Sequence, residues 1–340
     1  MKNFRFCFLL IALGMNSGCY YLKSAYHQIG LLTSAQNLDE TLASDQLSAT
    51  EKQKLMLVKK VKDFATTDLG LTANKNYTTY VQLNRPYVTY VVSAAPKWKL
   101  EHYLWSFPII GSAPYKGFFN ESEAQDEARS LEKENFDTYV RGVSAYSTLG
   151  WFKDPVLSSM LRYKDHDLVN TIIHESVHAT LYIKNSADFN ERLASFLGNK
   201  GTELFYLKLE GESSETLKLI RLENQDEKLF SDFISKELKD LGVWYSEQKN
   251  NNETERESRL QQIQQRFMNE IKPQLKTNTL TYFEKIKLNN ARLNVYKTYL
   301  EDQSHFKQAY ENSANDFQKF IHKCKSLENS KDPLKDLQSM

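Results

Sequence analysis

Two histidines and a glutamate in the stretch 171–180 have the spacing of an HExxH metal-binding motif: His174, Glu175 and His178. In a helix, residues at positions i and i+4 lie on one face, so both imidazoles can bind a single ion. A zinc ion held in this way needs a third protein ligand and keeps an open position, where it lowers the pKa of a bound water towards neutrality. Glu175 would be the general base for that water. The alternative is an exposed helix that carries these residues by chance, but apolar residues around the motif indicate a buried helix.

A third ligand is expected on the segment that follows the motif. Residues 185–198 form a short loop and then an amphipathic helix that should end near Gly198 or Gly201. If this helix runs antiparallel to the motif helix, Glu191 completes a His2Glu zinc site with an open fourth position. The alternative assigns Glu191 to a capping pair with Asp188 at the start of the helix. The nearest competing ligands are Asp165, His166, Asp167 and Asp188. None of them has an equally good helical frame, so we favour Glu191.

The elements that position these residues are a helix and the strand before it. Apolar spacing predicts the motif helix over about 167–183, capped by Asp165 or Asp167. The stretch 138–150 looks like a strand. In zincin metallopeptidases an edge strand just before the HExxH helix pairs with the extended peptide substrate, and 138–150 occupies that place. The alternative is an ordinary core strand.

The rest of the chain is predicted to be mostly helical around a small sheet. We expect helices in 20–75, a hairpin from 77–83 and 87–93, a turn-rich aromatic loop at 107–119 and a polar helix at 121–135. Beyond Gly201 the chain turns helical and charged, and its best linker candidate is Asn250 to Glu253.

The amino terminus is typical of an export signal. A short positive start leads into an apolar run from Phe4 to Met15, which is too short to span a bilayer comfortably. Asn16-Ser17-Gly18-Cys19 follows and resembles the lipobox of bacterial lipoproteins, although Asn16 replaces the usual aliphatic residue. We therefore expect Cys19 to be the lipidated amino terminus of an exported, periplasm-facing protein, and Tyr20 after it favours the outer membrane. The alternatives are an ordinary cleaved signal and an uncleaved anchor.

The composition argues against a disordered protein and against a nucleic-acid-binding protein. The 340 residues are 41% hydrophobic and 12% aromatic, so the chain can bury a sizeable core and is not disordered. Lys and Arg number 44 against 43 for Asp and Glu, and nothing in this balance favours a nucleic acid or another polyanion as a partner.

Several strings together resemble the zinc aminopeptidase lipoprotein family of proteobacteria, which is gluzincin-like in carrying HExxH and a downstream glutamate. The strings are His174-Glu-Ser-Val-His178, Phe189-Asn-Glu-Arg-Leu-Ala194, Ala145-Tyr-Ser-Thr-Leu-Gly-Trp-Phe-Lys-Asp-Pro155, Phe107-Pro-Ile-Ile-Gly111, Pro114-Tyr-Lys-Gly-Phe-Phe119 and Asn289-Asn-Ala-Arg-Leu293. The resemblance covers most of the chain from Cys19 to about Phe320. It implies zinc ligation by His174, His178 and Glu191 with Glu175 as base, which agrees with the spacing argument.

The resemblance also suggests residues that contact substrate. It implies that the segment around Asn289 and Tyr299 faces the site, where Arg292 could bind a substrate carboxylate and Tyr296 could steady an oxyanion. Tyr146, in the predicted substrate strand, is a third candidate. In thermolysin-like enzymes a carboxylate four residues after the glutamate ligand orients a histidine, whereas this chain has Ser195. Another group must therefore supply that outer contact.

These observations predict an α+β fold that is predominantly helical, with a zincin-like metallopeptidase core, a small mixed sheet and long carboxy-terminal helices. The expected organisation is a signal peptide (1–18), amino-terminal helices (19–75), a catalytic core (76–205) and a helical region packed on it (206–340). The predicted function is a zinc-dependent peptidase with one Zn²⁺, most simply an aminopeptidase acting on peptides.

Two alternatives stay open. One is a zinc endopeptidase with the same mechanism, and the other is a non-catalytic envelope lipoprotein with a structural zinc. An intact Glu175 argues against the second, because a structural site would not need it. An aminopeptidase also needs a group that binds the free α-amino end, and the sequence offers four candidates. They are Asp154, Asp165, Asp188 and Glu203.

Overall fold

Helices form most of the computed structural model, which describes residues 20–72, 75–107, 111–145, 153–301 and 303–339. The signal segment, Cys19 and Tyr146 lie outside the described residues. In chain order the helices are α1 (20–33), α2 (Leu38–Ala43), α3 (Ala49–Thr67), α4 (Glu121–Lys133), α5 (Asp165–Thr180), α6 (Ala187–Glu210), α7 (Glu215–Glu247), α8 (Glu253–Arg266), α9 (Asn290–Leu300), α10 (Ser304–Glu311), α11 (Phe317–Lys325) and α12 (Pro333–Gln338). With its small mixed sheets, this confirms the predicted α+β, predominantly helical class.

The strands form three small sheets in the described parts of the chain. They are β1 (Gln36–Asn37), β2 (Thr79–Val81), β3 (Thr89–Pro96), β4 (Trp105–Phe107), β5 (Gly111–Ala113), β6 (Tyr115–Phe118), β7 (Phe136–Val143) and β8 (Val156–Leu157). The strand orders are β1-β2-β8, β6-β3-β7 and β4-β5. The predicted hairpin is wrong, because β2 and β3 belong to different sheets and each pairs with strands distant in sequence. The predicted loop at 107–119 is also wrong, since it contains β5 and β6.

The sheet β6-β3-β7 lies between two helical layers. Its strands are antiparallel, with Val92 opposite Lys116 on one side and Val140 on the other. Val92 and Val140 pack in one apolar cluster with Ala124 and Ala128 of α4. Because side chains alternate along a strand, Arg141 projects from the opposite face, where α9 packs. That second face carries part of the candidate site.

Two glycines let α6 pack closely against α5. A Cβ atom on Gly198 would lie 3.1 Å from Asn170 Oδ1, and one on Gly201 would lie 2.9 Å from Ile173 Cγ2. Both glycines therefore belong to the interior of α6, which continues to Glu210. The prediction that this helix ends at Gly198 or Gly201 is wrong, because the missing side chains serve close helix contact and not termination.

The largest apolar cluster joins distant parts of the chain. It contains Leu55 of α3, Ile172 of α5 and Phe320 of α11, so the last helices return to pack on the first half. A second cluster surrounds Phe230 and Phe283 and is built mainly from α7, α8 and α9. The predicted division at residues 75 and 205 stays a prediction. None of the described helices is both long and apolar enough to cross a membrane.

Candidate metal centre

The helix α5 presents the two histidines of the motif side by side. Nε2 of His178 lies 3.1 Å from Nε2 of His174, as expected for imidazoles one helical turn apart. The helix is fixed by complete burial of apolar residues around the motif, including Ile172 and Ile173. Lys164 precedes its first turn, and no side chain caps it. The prediction of a cap at Asp165 or Asp167 is therefore wrong.

The helix α6 brings Glu191 to these histidines. Its Oε2 lies 3.4 Å from His174 Nε2 and 3.5 Å from His178 Nε2. The side chains of His174, His178 and Glu191 are 16%, 7% and 11% exposed, so the three ligands are largely withdrawn from solvent. The capping alternative is not what the structure shows: Ser186 precedes the helix, and no side chain makes a cap hydrogen bond.

Asn190 fixes the connection between the two helices. Its Oδ1 accepts a hydrogen bond from the Ile183 N–H at 2.9 Å, and its Nδ2 donates to the Ile183 carbonyl at 2.8 Å. Only 2% of Asn190 is exposed. A buried amide that satisfies both backbone groups of one residue holds the connection 181–186 in one conformation. We call this pair of hydrogen bonds the Asn190 clamp. It ties the residue directly before Glu191 to the connection and so helps to position the Glu191 carboxylate.

The three ligand atoms suit a tetrahedral metal. Zinc lies about 2.0–2.2 Å from histidine nitrogens and carboxylate oxygens, which places two ligands of a tetrahedron about 3.3–3.6 Å apart. The observed separations are 3.1, 3.4 and 3.5 Å. Nδ1 of His178 is buried and has no hydrogen-bond partner among the described residues. The expected outer contact to this histidine is thus absent from the described part of the chain.

The competing ligands make other contacts. Asp188 accepts a hydrogen bond from Thr298 at 2.8 Å and lies 3.6 Å from His102. His166 and Asp167 form a second group with Glu223 whose atoms could hold an ion. Lys164, however, already lies 3.3 Å from Glu223. The second group therefore already lies beside a lysine side chain, whereas the carboxylate of Glu191 lies beside two imidazoles.

The carboxyl group of Glu175 has a raised pKa. Burial raises the pKa of its carboxyl to about 7; the charge of His174 lowers it, whereas Glu191 and Asp154 raise it further. A general base is most effective when its pKa is close to the working pH. A bound divalent cation would lower this pKa, because it stabilises the carboxylate.

Three tyrosines and an arginine surround the Glu191 side of the site. Burial raises the pKa of Tyr115, Tyr182 and Tyr299, and the charge of Glu191 raises all three further. These phenols therefore stay protonated near neutral pH and can donate hydrogen bonds. The Arg141 guanidinium donates to the Tyr299 hydroxyl at 3.3 Å.

The Glu175 side is built differently. Burial raises the pKa of Tyr77, and the charges of Glu175 and Asp154 raise it further. Tyr77 has a left-handed φ of 58°, and its N–H donates to the Asp154 carbonyl at 2.6 Å. The Asp154 carboxylate is 3% exposed and lies 3.4 Å from the Asn76 amide nitrogen that donates to it. A buried acid thus stands beside the candidate base.

Arg292 and Tyr296, the two predicted substrate residues within the described chain, have their own recorded contacts, and their role with substrate stays a prediction. Arg292 stacks over the Tyr139 ring at 4.2 Å. Tyr296 is 9% exposed and packs against Phe230 and Phe283 in the second apolar cluster. No described contact joins Arg292 or Tyr296 to the candidate metal ligands, whereas Tyr299, one helical turn after Tyr296, contacts Arg141. The strand β7 is an edge of its sheet, and its pairing with a peptide stays a prediction.

Sequence reasoning gave no role to Asn190 or Arg141, and it placed Tyr299 at the site only through the family resemblance. One signal was available: Arg141 interrupts a strand of aromatic and β-branched residues, where a charge is unexpected unless it has a task. For Asn190 and Tyr299 the sequence alone holds no comparable signal, because their roles depend on which face of a helix meets the site.

The chain matches the model of a family described as "Putative aminopeptidase" over residues 19–337. Searches among curated proteins and among solved structures returned no significant match.

Proposed function

The chain belongs to the family described as "Putative aminopeptidase", and we propose that it is a zinc-dependent aminopeptidase that binds one ion through His174, His178 and Glu191. One observation carries the metal proposal. Two imidazole nitrogens and a carboxylate oxygen converge with separations of 3.1–3.5 Å, directly beside a buried glutamate. When bound, zinc would act as a Lewis acid that polarises the scissile carbonyl and makes water nucleophilic near neutral pH.

Glu175 moves the proton in this proposal. Its carboxylate takes a proton from the attacking water and passes it to the nitrogen of the leaving amine, so the group ends the cycle unchanged. Burial raises the pKa of Glu175, which favours acceptance of the proton, and a bound cation would lower that pKa, which favours its release. Withdrawal of the ligands from solvent strengthens these interactions.

Asp154 is the acid that we propose for the substrate's α-amino group. Of the four candidates, it alone raises the pKa of Glu175, and it is almost fully buried. The other three have contacts away from the triad: Asp165 pairs with Lys54, Asp188 with His102 and Thr298, and Glu203 with Lys200 and Asn224. A buried carboxylate beside the base is suited to an ammonium group.

The two rivals differ in what they need from this site. An endopeptidase would share the triad and Glu175 but would not need an acid for a free amino end, so buried Asp154 favours the aminopeptidase. A structural zinc would need a fourth protein ligand. The group that contains His174, His178 and Glu191 includes no fourth His, Cys, Asp or Glu among the described residues.

Zinc analysis and peptide digestion test the proposal together. We expect about one zinc per chain in the purified wild type, loss of that zinc in His178→Ala, and retention in His322→Ala, which removes an exposed imidazole of α11. We expect wild type to release the first residue of a peptide with a free amino terminus and to leave the amino-acetylated peptide intact. Equal zinc in both histidine variants would contradict the site, and cleavage of the acetylated peptide would favour the endopeptidase.

For localisation we propose export, lipidation at Cys19 and attachment to the periplasmic face of the outer membrane. The apolar run before Cys19 supports this proposal. Radiolabelled palmitate should enter the wild type and not Cys19→Ser. Incorporation into Cys19→Ser would contradict it.

A further inference from the structure

Arg141 occupies an unusual position on β7. It pairs in register with Val91 of β3, is half-buried, and projects from the sheet face opposite α4. Nη2 donates to the Tyr299 hydroxyl at 3.3 Å, and the guanidinium carbon lies 5.7 Å from the centre of the Tyr299 ring. Tyr299 therefore holds the arginine on the side of the site that contains Glu191.

The charge of Arg141 has no ion-pair partner in the described parts of the chain. No carboxylate oxygen there lies within 4 Å of it, and its buried Nε has no hydrogen-bond acceptor. A guanidinium has five N–H donors, and within the described residues only the bond to Tyr299 uses one of them. Withdrawing such a group from water is costly unless an anion compensates.

Arg256 is a buried arginine near the same sheet, and its contacts provide a comparison with those of Arg141. It forms ion pairs with Asp137 of β7 and, at 2.8 Å, with Glu253 of α8, and it donates to the Lys97 carbonyl. Arg256 and Arg141 both contact the sheet, but of the two only Arg256 has ion-pair partners among the described residues. The difference indicates that the partner of Arg141 comes from outside the described chain.

The neighbours of Arg141 define the chemistry of that partner. Tyr115 and Tyr299 stay neutral, and Glu191, whose charge raises the pKa of Arg141, also lies within ion-pair distance of the two histidines. The planar fork of a guanidinium matches a carboxylate in two parallel hydrogen bonds. Asp154 acts on Glu175 and Arg141 on Glu191, so the site holds a carboxylate and a guanidinium besides the candidate metal ligands.

We infer that Arg141, positioned by Tyr299, binds a carboxylate of the peptide substrate, and that the site prefers peptides with a carboxylate close to the scissile bond. The inference rests on the proposed peptidase function and deepens it by naming a substrate class. The carboxylate could be the carboxyl terminus of a dipeptide or an acidic side chain just after the bond. Arg141 is a substrate-binding residue in this scheme, and Tyr299 is a positioning residue.

Three peptides separate the sources of the carboxylate: leucyl-leucine, leucyl-leucine amide and leucyl-aspartate amide. Because charged hydrogen bonds contribute about 1.5–3 kcal/mol, we expect wild type to favour a carboxylate peptide over the neutral amide by about ten- to a hundred-fold in kcat/KM. A higher value for leucyl-leucine identifies the chain terminus, and a higher value for leucyl-aspartate amide identifies the side chain. If neither exceeds the neutral amide, the inference is overturned.

Variants test the arginine itself. Arg141→Met should abolish the preference, mainly by raising KM for the carboxylate peptide, and Arg141→Lys should restore part of it. Tyr299→Phe keeps the ring and removes the hydroxyl, so it should weaken the preference by raising KM for the carboxylate peptide. Arg129→Met is the charge-matched control, because Arg129 lies exposed on α4 beside Asp126. A preference unchanged in Arg141→Met, or lost in Arg129→Met, would overturn the inference.

A binding assay separates this inference from the proposed function. Calorimetry with the Glu175→Gln protein measures affinity for the same three peptides without turnover. Suppose that wild type hydrolyses none of the peptides, that the carboxylate peptides bind Glu175→Gln more tightly than the neutral amide, and that this difference is lost in the double variant Arg141→Met/Glu175→Gln. The peptidase proposal then fails and the arginine site stands. Equal affinity for all three peptides overturns the arginine site, whatever the activity.

Discussion

Replacement of Asn190 by alanine tests how the fold positions the third ligand. The change removes both hydrogen bonds to Ile183 and leaves a buried backbone N–H and C=O without their partner. Each unsatisfied buried group costs about 1–3 kcal/mol, so we expect Asn190→Ala, which leaves two, to lower the free energy of unfolding by about 2–6 kcal/mol. The connection 181–186 then gains conformational freedom, and the first turn of α6, which carries Glu191, is held less firmly. Loss of such a supporting contact typically lowers metal affinity about 10- to 100-fold.

Asn199→Ala is the matched control. Asn199 lies on the same helix, accepts a hydrogen bond from Asn170 at 2.7 Å and donates one to Glu227 at 2.8 Å. It touches neither the connection nor the triad, so its replacement should lower stability by about 1–2 kcal/mol and leave zinc affinity unchanged. Competition with a fluorescent zinc chelator, below the unfolding temperature of both variants, measures the affinity. If Asn190→Ala binds zinc as tightly as Asn199→Ala, the clamp does not position Glu191.

Three further predictions concern stability. Gly201→Ala should lower the free energy of unfolding in denaturant by about 1–3 kcal/mol, because the new methyl group meets Ile173 and Leu69; an unchanged value would contradict the close helix contact. Burial raises the pKa of Glu227, so its stability contribution is full below the unfolded pKa and is lost as pH rises through the folded pKa. Glu227→Gln, which keeps an acceptor for Asn199, should therefore be more stable than wild type at pH 7 but not at pH 4, and the reverse order in thermal melts would refute this. Zinc at a hundred times its Kd should stabilise the protein by about 2.7 kcal/mol, so a chelator should lower the Tm of wild type and not of His178→Ala.

The convergence of the three candidate metal ligands could be predicted from sequence because their geometry is local. His174 and His178 are one helical turn apart, and Glu191 is separated from them by one short connection. In contrast, the pairing of β2 and β3 is non-local: β2 joins β1 and β8, whereas β3 joins β6 and β7. Residues adjacent in sequence suggested a hairpin, since nothing in a single sequence reveals distant strand partners.

The rotational orientation of a helix explains the other differences between the sequence-based predictions and the structure. The helix α9 buries residues on several faces, with Tyr296 in an apolar cluster and Tyr299 beside Arg141. Without a single apolar stripe, its sequence does not indicate which tyrosine faces the site. Gly198 was ambiguous for a similar reason, because a glycine can end a helix or admit a neighbouring one. Only the packed structure separates these roles.

The most direct test of the central claim compares zinc content and peptide hydrolysis in wild type and Glu175→Gln. The account predicts that Glu175→Gln keeps about one zinc per chain but hydrolyses a leucyl peptide about 10²- to 10⁴-fold more slowly, because the proton acceptor is lost while the ligands remain. Glu40→Gln, an exposed change on α2, should retain both zinc and activity. Hydrolysis by zinc-loaded Glu175→Gln at the wild-type rate would contradict the account.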